Sequence, residues 1–120
     1  MYSPALLDHF EHPRNSGGLT DADARVRTEN PACGDILEVA VKFDTGRIAE
    51  IRFRAKGCVP AMACASAMTE LAKGKSAQQA GAIGREEVVL AVGGLPPASG
   101  HAAQLAIDAL RAVLKQAPNT

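Results

Sequence analysis

The sequence predicts an α+β domain: a small antiparallel sheet with helices packed on one of its faces. Three observations carry this. Residues 36–43 and 50–55 alternate apolar and polar side chains with the period of two that marks a half-buried strand. Two later segments carry correctly placed helix start and stop signals. Strands come first along the chain and the main helices follow, the order expected when helices gather on one side of an antiparallel sheet.

Element by element, Ser3-Pro4 supplies an N-cap followed by proline at the first helical position, so a short helix starts there. Pro13 ends it, and Arg14-Asn15-Ser16-Gly17-Gly18 is a loop. Ala24 to Thr28 is expected as a short edge strand. In Ile36 to Phe43, Leu37, Val39, Val41 and Phe43 alternate with Glu38, Ala40 and Lys42. After the turn Asp44-Thr45-Gly46-Arg47, Ile51, Phe53 and Ala55 alternate with Glu50, Arg52 and Arg54, completing a β-hairpin with one polar face.

Pro60 to Lys73 is rich in alanine and methionine, with proline near its start and Gly74 just past its end, and so reads as a helix. Ala61, Cys64, Ala65, Met68 and Ala72 share one face of it. A short helix is expected around Ser76 to Ala82, broken by Ile83-Gly84-Arg85. Gly93-Gly94-Leu95-Pro96-Pro97 is a rigid, turn-rich loop. The last helix is expected from about His101 to Lys115, with Ala103, Ile107, Leu110 and Leu114 on its apolar face. No repeat or linker divides the chain, so residues 1–120 read as one domain.

Composition narrows the function. With 47% hydrophobic and 22% charged residues the chain has the material for a core. Thirteen basic residues balance thirteen acidic ones, and only 3% are aromatic. A nucleic-acid binder needs a basic footprint and stacking surfaces, so nucleic acid drops out as a partner. No apolar run reaches the roughly 20 residues of a membrane span, and no secretory pattern opens the chain, so no membrane partner and a cytoplasmic location are expected. Three cysteines, an odd number, argue for reduced thiols rather than a disulfide framework.

Reduced thiols at element junctions are candidate ligands. Cys33 and Asp35 flank Gly34 in the loop Asn30–Asp35, which reads either as a turn with an incidental cysteine or as a ligand mount held by a strand. Cys58 ends a strand at a helix N-terminus, where the dipole favours the metal-binding thiolate. His101 opens the last helix. Together Cys33, Asp35, Cys58 and His101 converge on one expected metal or iron–sulfur site. Cys64 is expected to be a buried core thiol. His9 and His12 share a helix face, with no third ligand that can be placed near them.

At this point the sequence resembles the iron–sulfur cluster assembly scaffolds of the IscU type, which also form the N-terminal domain of NifU. The resemblance rests on Tyr2-Ser3 with Asp8-His9-Phe10-Glu11-His12-Pro13-Arg14-Asn15, on Pro31-Ala32-Cys33-Gly34-Asp35, on Gly57-Cys58, on Lys73-Gly74-Lys75-Ser76, and on Leu95-Pro96-Pro97 followed by His101. It implies a three-stranded antiparallel sheet with several helices on one face. It also implies a scaffold or carrier; with no general base or nucleophile apparent beyond the ligands, no enzyme is expected. Such a protein accepts sulfur from a cysteine desulfurase, builds a [2Fe–2S] cluster on Cys33, Asp35, Cys58 and His101, and delivers it to apo iron–sulfur acceptor proteins. The same residues would bind iron, and sites of this family also take zinc. A monomer or weak homo-oligomer is expected.

Two positions depart from the family pattern. A third ligand cysteine follows the histidine in the family, whereas Ala102 stands here; a lysine follows Leu-Pro-Pro, whereas Ser99 stands here, leaving the chaperone-docking motif incomplete. The remaining donors, two thiolates, a carboxylate and an imidazole, form a complete tetrahedral shell for Zn²⁺ or supply two ligands to each iron of a cluster. A zinc-binding module that docks on a cysteine desulfurase and modulates it is therefore the alternative reading.

Overall fold

The structure, a computed structural model, describes residues 2–31 and 34–117. The N-terminal helix α1 (Pro4–Glu11) is capped by Ser3, whose hydroxyl accepts from the Leu6 N–H at 3.0 Å. Its strands are β1 (Ala24–Asn30), β2 (Asp35–Asp44) and β3 (Arg47–Lys56). They pair antiparallel in the order β1-β2-β3. The expected edge strand is therefore present and runs two residues further, to Asn30. Thr45 and Gly46 both take positive φ, 51° and 79°, the two-residue geometry that matches the twist of a hairpin.

The alternation read from the sequence is borne out in burial. Leu37, Val39, Val41, Ile51 and Phe53 face the core, opposite Ala24 and Val26 of β1. A bulge at Lys42/Phe43 shifts the register near the hairpin end, where Phe43 pairs with Ile48 and Lys42 with Glu50. The loop after α1 runs along β3, with the Gly17 N–H donating to the Phe53 carbonyl at 2.8 Å and the Phe53 N–H to Asn15 at 3.0 Å. That strand therefore presents no open edge there.

Helix α2 (Val59–Ala72) is buried on nearly all sides. Its small residues Ala61, Ala63, Ala65 and Ala67 let α1, β3 and the last helix approach closely. The helices α3 (Ala77–Gly81) and α4 (Arg85–Ala91) follow. The first carries a full capping box between Ser76 and Gln79. The second has no counterpart in the sequence reading. A 3₁₀ turn, Pro97–Ser99, leads into α5 (Gly100–Gln116), which lies across β1 and β2 with Ala103, Ile107 and Leu110 buried. Among the described residues, α2 and α5 pack on the inner sheet face and α1, α3 and α4 pack against those two helices, so the α+β class holds. No helix among the described residues is long and apolar enough to cross a membrane.

Candidate metal centre

Three elements end at one corner of the sheet. Asp35 opens β2, and Cys58 caps α2 directly after β3. His101 stands in the first turn of α5. Asp35 has the same inward parity as Leu37 and Val39 and is only 2% exposed, a burial that a carboxylate tolerates only with partners. It has them. The Cys58 N–H at the head of α2 donates to Asp35 Oδ1 at 3.0 Å, so the helix terminus holds the carboxylate in place. Gly57 makes this possible: a Cβ there would stand 2.2 Å from Oδ1.

The other oxygen faces the remaining donors. Asp35 Oδ2 is 3.4 Å from Cys58 Sγ and 3.4 Å from His101 Nε2. The sulfur and the imidazole nitrogen are 3.9 Å apart. A tetrahedral ion bound at ordinary Zn–S, Zn–N and Zn–O lengths sets its ligands about 3.3–3.6 Å from one another. The three atoms thus stand near the corners of such a shell, all within 4.8 Å of one another. One oxygen, one sulfur and one nitrogen is a mixed hard and soft set that suits iron or zinc better than magnesium or calcium. His101 retains about a third of its side-chain surface (34%), so the centre opens to solvent on that side.

The profile of the NifU-like N-terminal domain matches residues 1–119. This chain belongs to that family. Among its relatives, the iron–sulfur cluster assembly scaffold protein IscU 1 of Archaeoglobus fulgidus is 45% identical over 111 residues, covering 92% of this chain and 72% of the relative. The scaffold protein IscU of Haemophilus influenzae is 40% identical over 117 residues, covering 94% and 92%. Among solved structures, a putative scaffold protein for the SUF system of Fervidobacterium islandicum has a TM-score of 0.79 at 22% identity, covering 94% of this chain and 96% of that one. A NifU-like N-terminal domain from Brucella abortus has a TM-score of 0.76 at 20% identity, covering 95% and 92%. These two likenesses show the shared fold.

Of the four expected site residues of this family member, Asp35, Cys58 and His101 come together; Cys33 lies outside the described residues. Cys64 is fully buried in α2, as expected, and burial pushes its thiol up to about 12, with the neighbouring Cys58 adding to the rise. Ala102 is buried in the core beside His101. His9 and His12 form no pair. His9 turns into the protein, its Nδ1 2.8 Å from Ser66 Oγ, while His12 is exposed. Two neighbours of the centre escaped the sequence reading. Gly57 appeared there only as part of a motif, and Arg85 of α4 not as a neighbour of the site at all. A Cβ on Gly100, next to His101, would stand 2.7 Å from Arg85 Nη2. No local signal links positions fifteen residues apart across two helices.

Proposed function

We propose that the chain is an iron–sulfur cluster assembly scaffold that holds iron or a [2Fe–2S] cluster as cargo and passes it to apo-proteins. The observation that carries this is the Asp35–Cys58–His101 triangle, at a corner of the sheet open to solvent on its His101 side, in a chain whose relatives are named as scaffolds. Cys33, two positions before Asp35, is assigned as the fourth ligand. A scaffold must bind its cargo and then let it go. Thiolates and imidazole supply affinity for iron; the harder, more readily exchanged carboxylate of Asp35 supplies the exit. The partners of this reading are a cysteine desulfurase as sulfur donor and apo iron–sulfur proteins as acceptors, in a reducing compartment such as the cytoplasm. No catalytic role is assigned to the centre, and Leu95-Pro96-Pro97 with Ser99 is not assigned to chaperone docking. The scaffold names of the relatives weigh against the alternative of a zinc-bound module that only modulates a desulfurase.

Anaerobic incubation of the protein with a cysteine desulfurase, cysteine and Fe²⁺, followed by absorption spectroscopy, tests the reading. A visible sulfide-to-iron charge-transfer spectrum that transfers to an apo-ferredoxin is the expected result. Asp35→Cys should slow that transfer. Bound zinc with no chromophore, or transfer kinetics unchanged in Asp35→Cys, would overturn the scaffold reading or the role given to Asp35 respectively.

A further inference from the structure

The sheet face turned away from the helices holds a second concentration of chemistry. Alternation puts Arg25 and Arg27 of β1, Glu38 and Ala40 of β2, and Arg52 and Arg54 of β3 on it. The register sets them in two rows across the strands, Arg25–Ala40–Arg52 and Arg27–Glu38–Arg54. A depression of about 340 Å³ lies between them. Its floor is Ala40, which is only 8% exposed although it faces outward, flanked in register by two arginines.

Four guanidiniums and one carboxylate thus line a shallow basin on a chain of zero formal net charge. At its rim Glu29 stands 3.4 Å from Arg27, and Glu50 3.0 Å from Arg52. Arg25 donates one Nη2 bond to the Leu19 carbonyl; the remaining guanidinium donors are left for an incoming acceptor. The Arg52 Nε–H is shielded from solvent and has no acceptor among the described residues. A shielded donor without a partner is a cost, and it is removed when the Arg52 side chain turns outward to meet an incoming acceptor.

We propose that this face docks an acidic surface of a partner protein, whose carboxylates enter the basin over Ala40 and pair with Arg25 and Arg52. The guanidinium fork matches a carboxylate two bonds at a time, and a basic face also steers an acidic partner inward. The interleaved Glu29, Glu38 and Glu50 repel a nucleic-acid backbone, yet they offer counterparts to lysines on a protein of mixed charge. Asp35 points to the opposite side of the sheet, so a partner held here leaves the His101 side of the metal centre open to a second one. The proposal does not depend on what the metal centre carries, and its test reads binding alone.

The test titrates the full-length ¹⁵N-labelled chain with an Asp/Glu-rich peptide, using its Asn/Gln counterpart and inorganic pyrophosphate as comparisons. The acidic peptide should shift the amides of residues 25–27, 38–40 and 52–54 and the Arg52 Nε–H, with the effect fading as salt rises; the amide counterpart should not. Arg25→Glu with Arg52→Glu should weaken binding at least about tenfold. The milder pair Arg25→Gln with Arg52→Gln should do so too, while Lys75→Glu with Lys115→Glu leaves binding unchanged. Shifts spread over other basic residues, or full affinity in a folded Arg25→Gln, Arg52→Gln protein, would overturn the proposal. Equal or tighter binding of pyrophosphate with the same shifts would do so as well, making the basin a site for free anions.

Discussion

Gly57 shows how one residue decides the geometry of a ligand it does not itself provide. Asp35 is aimed by the Cys58 N–H, and the missing side chain of Gly57 is the room it occupies. Gly57→Ala should displace the carboxylate and weaken Co²⁺ binding, read from the visible bands of the ion, by about 10–100-fold, the usual cost of disturbing the groups that orient a ligand. An unchanged affinity would remove Asp35 from the ligand set. Cys64 behaves in the opposite way. A fully buried thiol raised to about 12 stays protonated and unreactive at ordinary pH. Iodoacetamide at pH 8 should leave Cys64 unmodified in the native protein and label it after denaturation. Mass mapping of the peptides checks this, and native labelling would contradict its place in the core. Both cysteines in question were legible as types, one at a junction and one on an apolar helix face. The steric need for Gly57 was not, since it depends on Asp35, which lies 22 positions earlier at the start of β2.

Helices α1 and α2 are joined by a buried polar latch. Ser66 Oγ lies 2.8 Å from His9 Nδ1 and accepts from the Arg14 N–H at 2.9 Å. Thr69 donates to the Arg14 carbonyl at 3.2 Å. On the far side of the ring, His9 Nε2 faces Glu70 at 3.8 Å. Burial, reinforced by Arg14, holds His9 below its ordinary value of 6.5, against the pull of Glu70 and Asp8. Its folded-state pKa is depressed, so the unfolded chain takes up the proton first as pH falls. The stability His9 contributes is complete above about pH 6.5 and is lost as pH drops from there through the lower folded value. Hydrogen exchange should therefore show α1 opening more often at pH 5 than at pH 7. Ser66→Ala, which strands the buried His9 Nδ1 and the half-buried Arg14 N–H, should cost about 1–3 kcal/mol in urea denaturation, whereas His9→Asn, which removes the titrating ring, should erase most of that pH difference. A pH difference that persists in full would place the sensitivity elsewhere.

Element by element, the strands and the two long helices were readable because each carries its own period or its own caps. Helix α4 was not. Its N-terminus is built from the Glu87 carboxylate accepting the Gly84 N–H at 3.0 Å, a signal that begins with glycine and so reads as a break. Only Val88 within α4 is fully buried, too sparse an apolar stripe to be seen over seven residues. What makes that segment a helix is the packing of Val88 and Val92 into the core between α2 and α5.

At the scale of the molecule, the candidate metal centre is formed where three element ends meet, so an ion bound there would link metal binding to folding. Any ion held by the native arrangement and not by the unfolded chain stabilises the fold. With free Zn²⁺ at a hundred times its dissociation constant, the gain should be about 2.7 kcal/mol, seen as a rise in the thermal midpoint. Cys58→Ser should lose most of that rise while the apo protein keeps its own midpoint to within a few degrees. A zinc-independent midpoint in the parent protein would argue against a preformed centre.

The sequence alone determined the class of fold, the hairpin, the helix punctuation and the chemical types of the candidate ligands, because periodicity, caps and thiol placement are written locally. It also carried the ordered motifs that mark the family. Only the tertiary structure decided that Asp35, Cys58 and His101 stand within tetrahedral reach of one another, since distances between three element ends depend on strand register and helix docking. It likewise decided that four arginines from two non-adjacent strands gather over Ala40. Along a chain of balanced charge they look like an ordinary solvated face; pairing across β2 turns them into one basin.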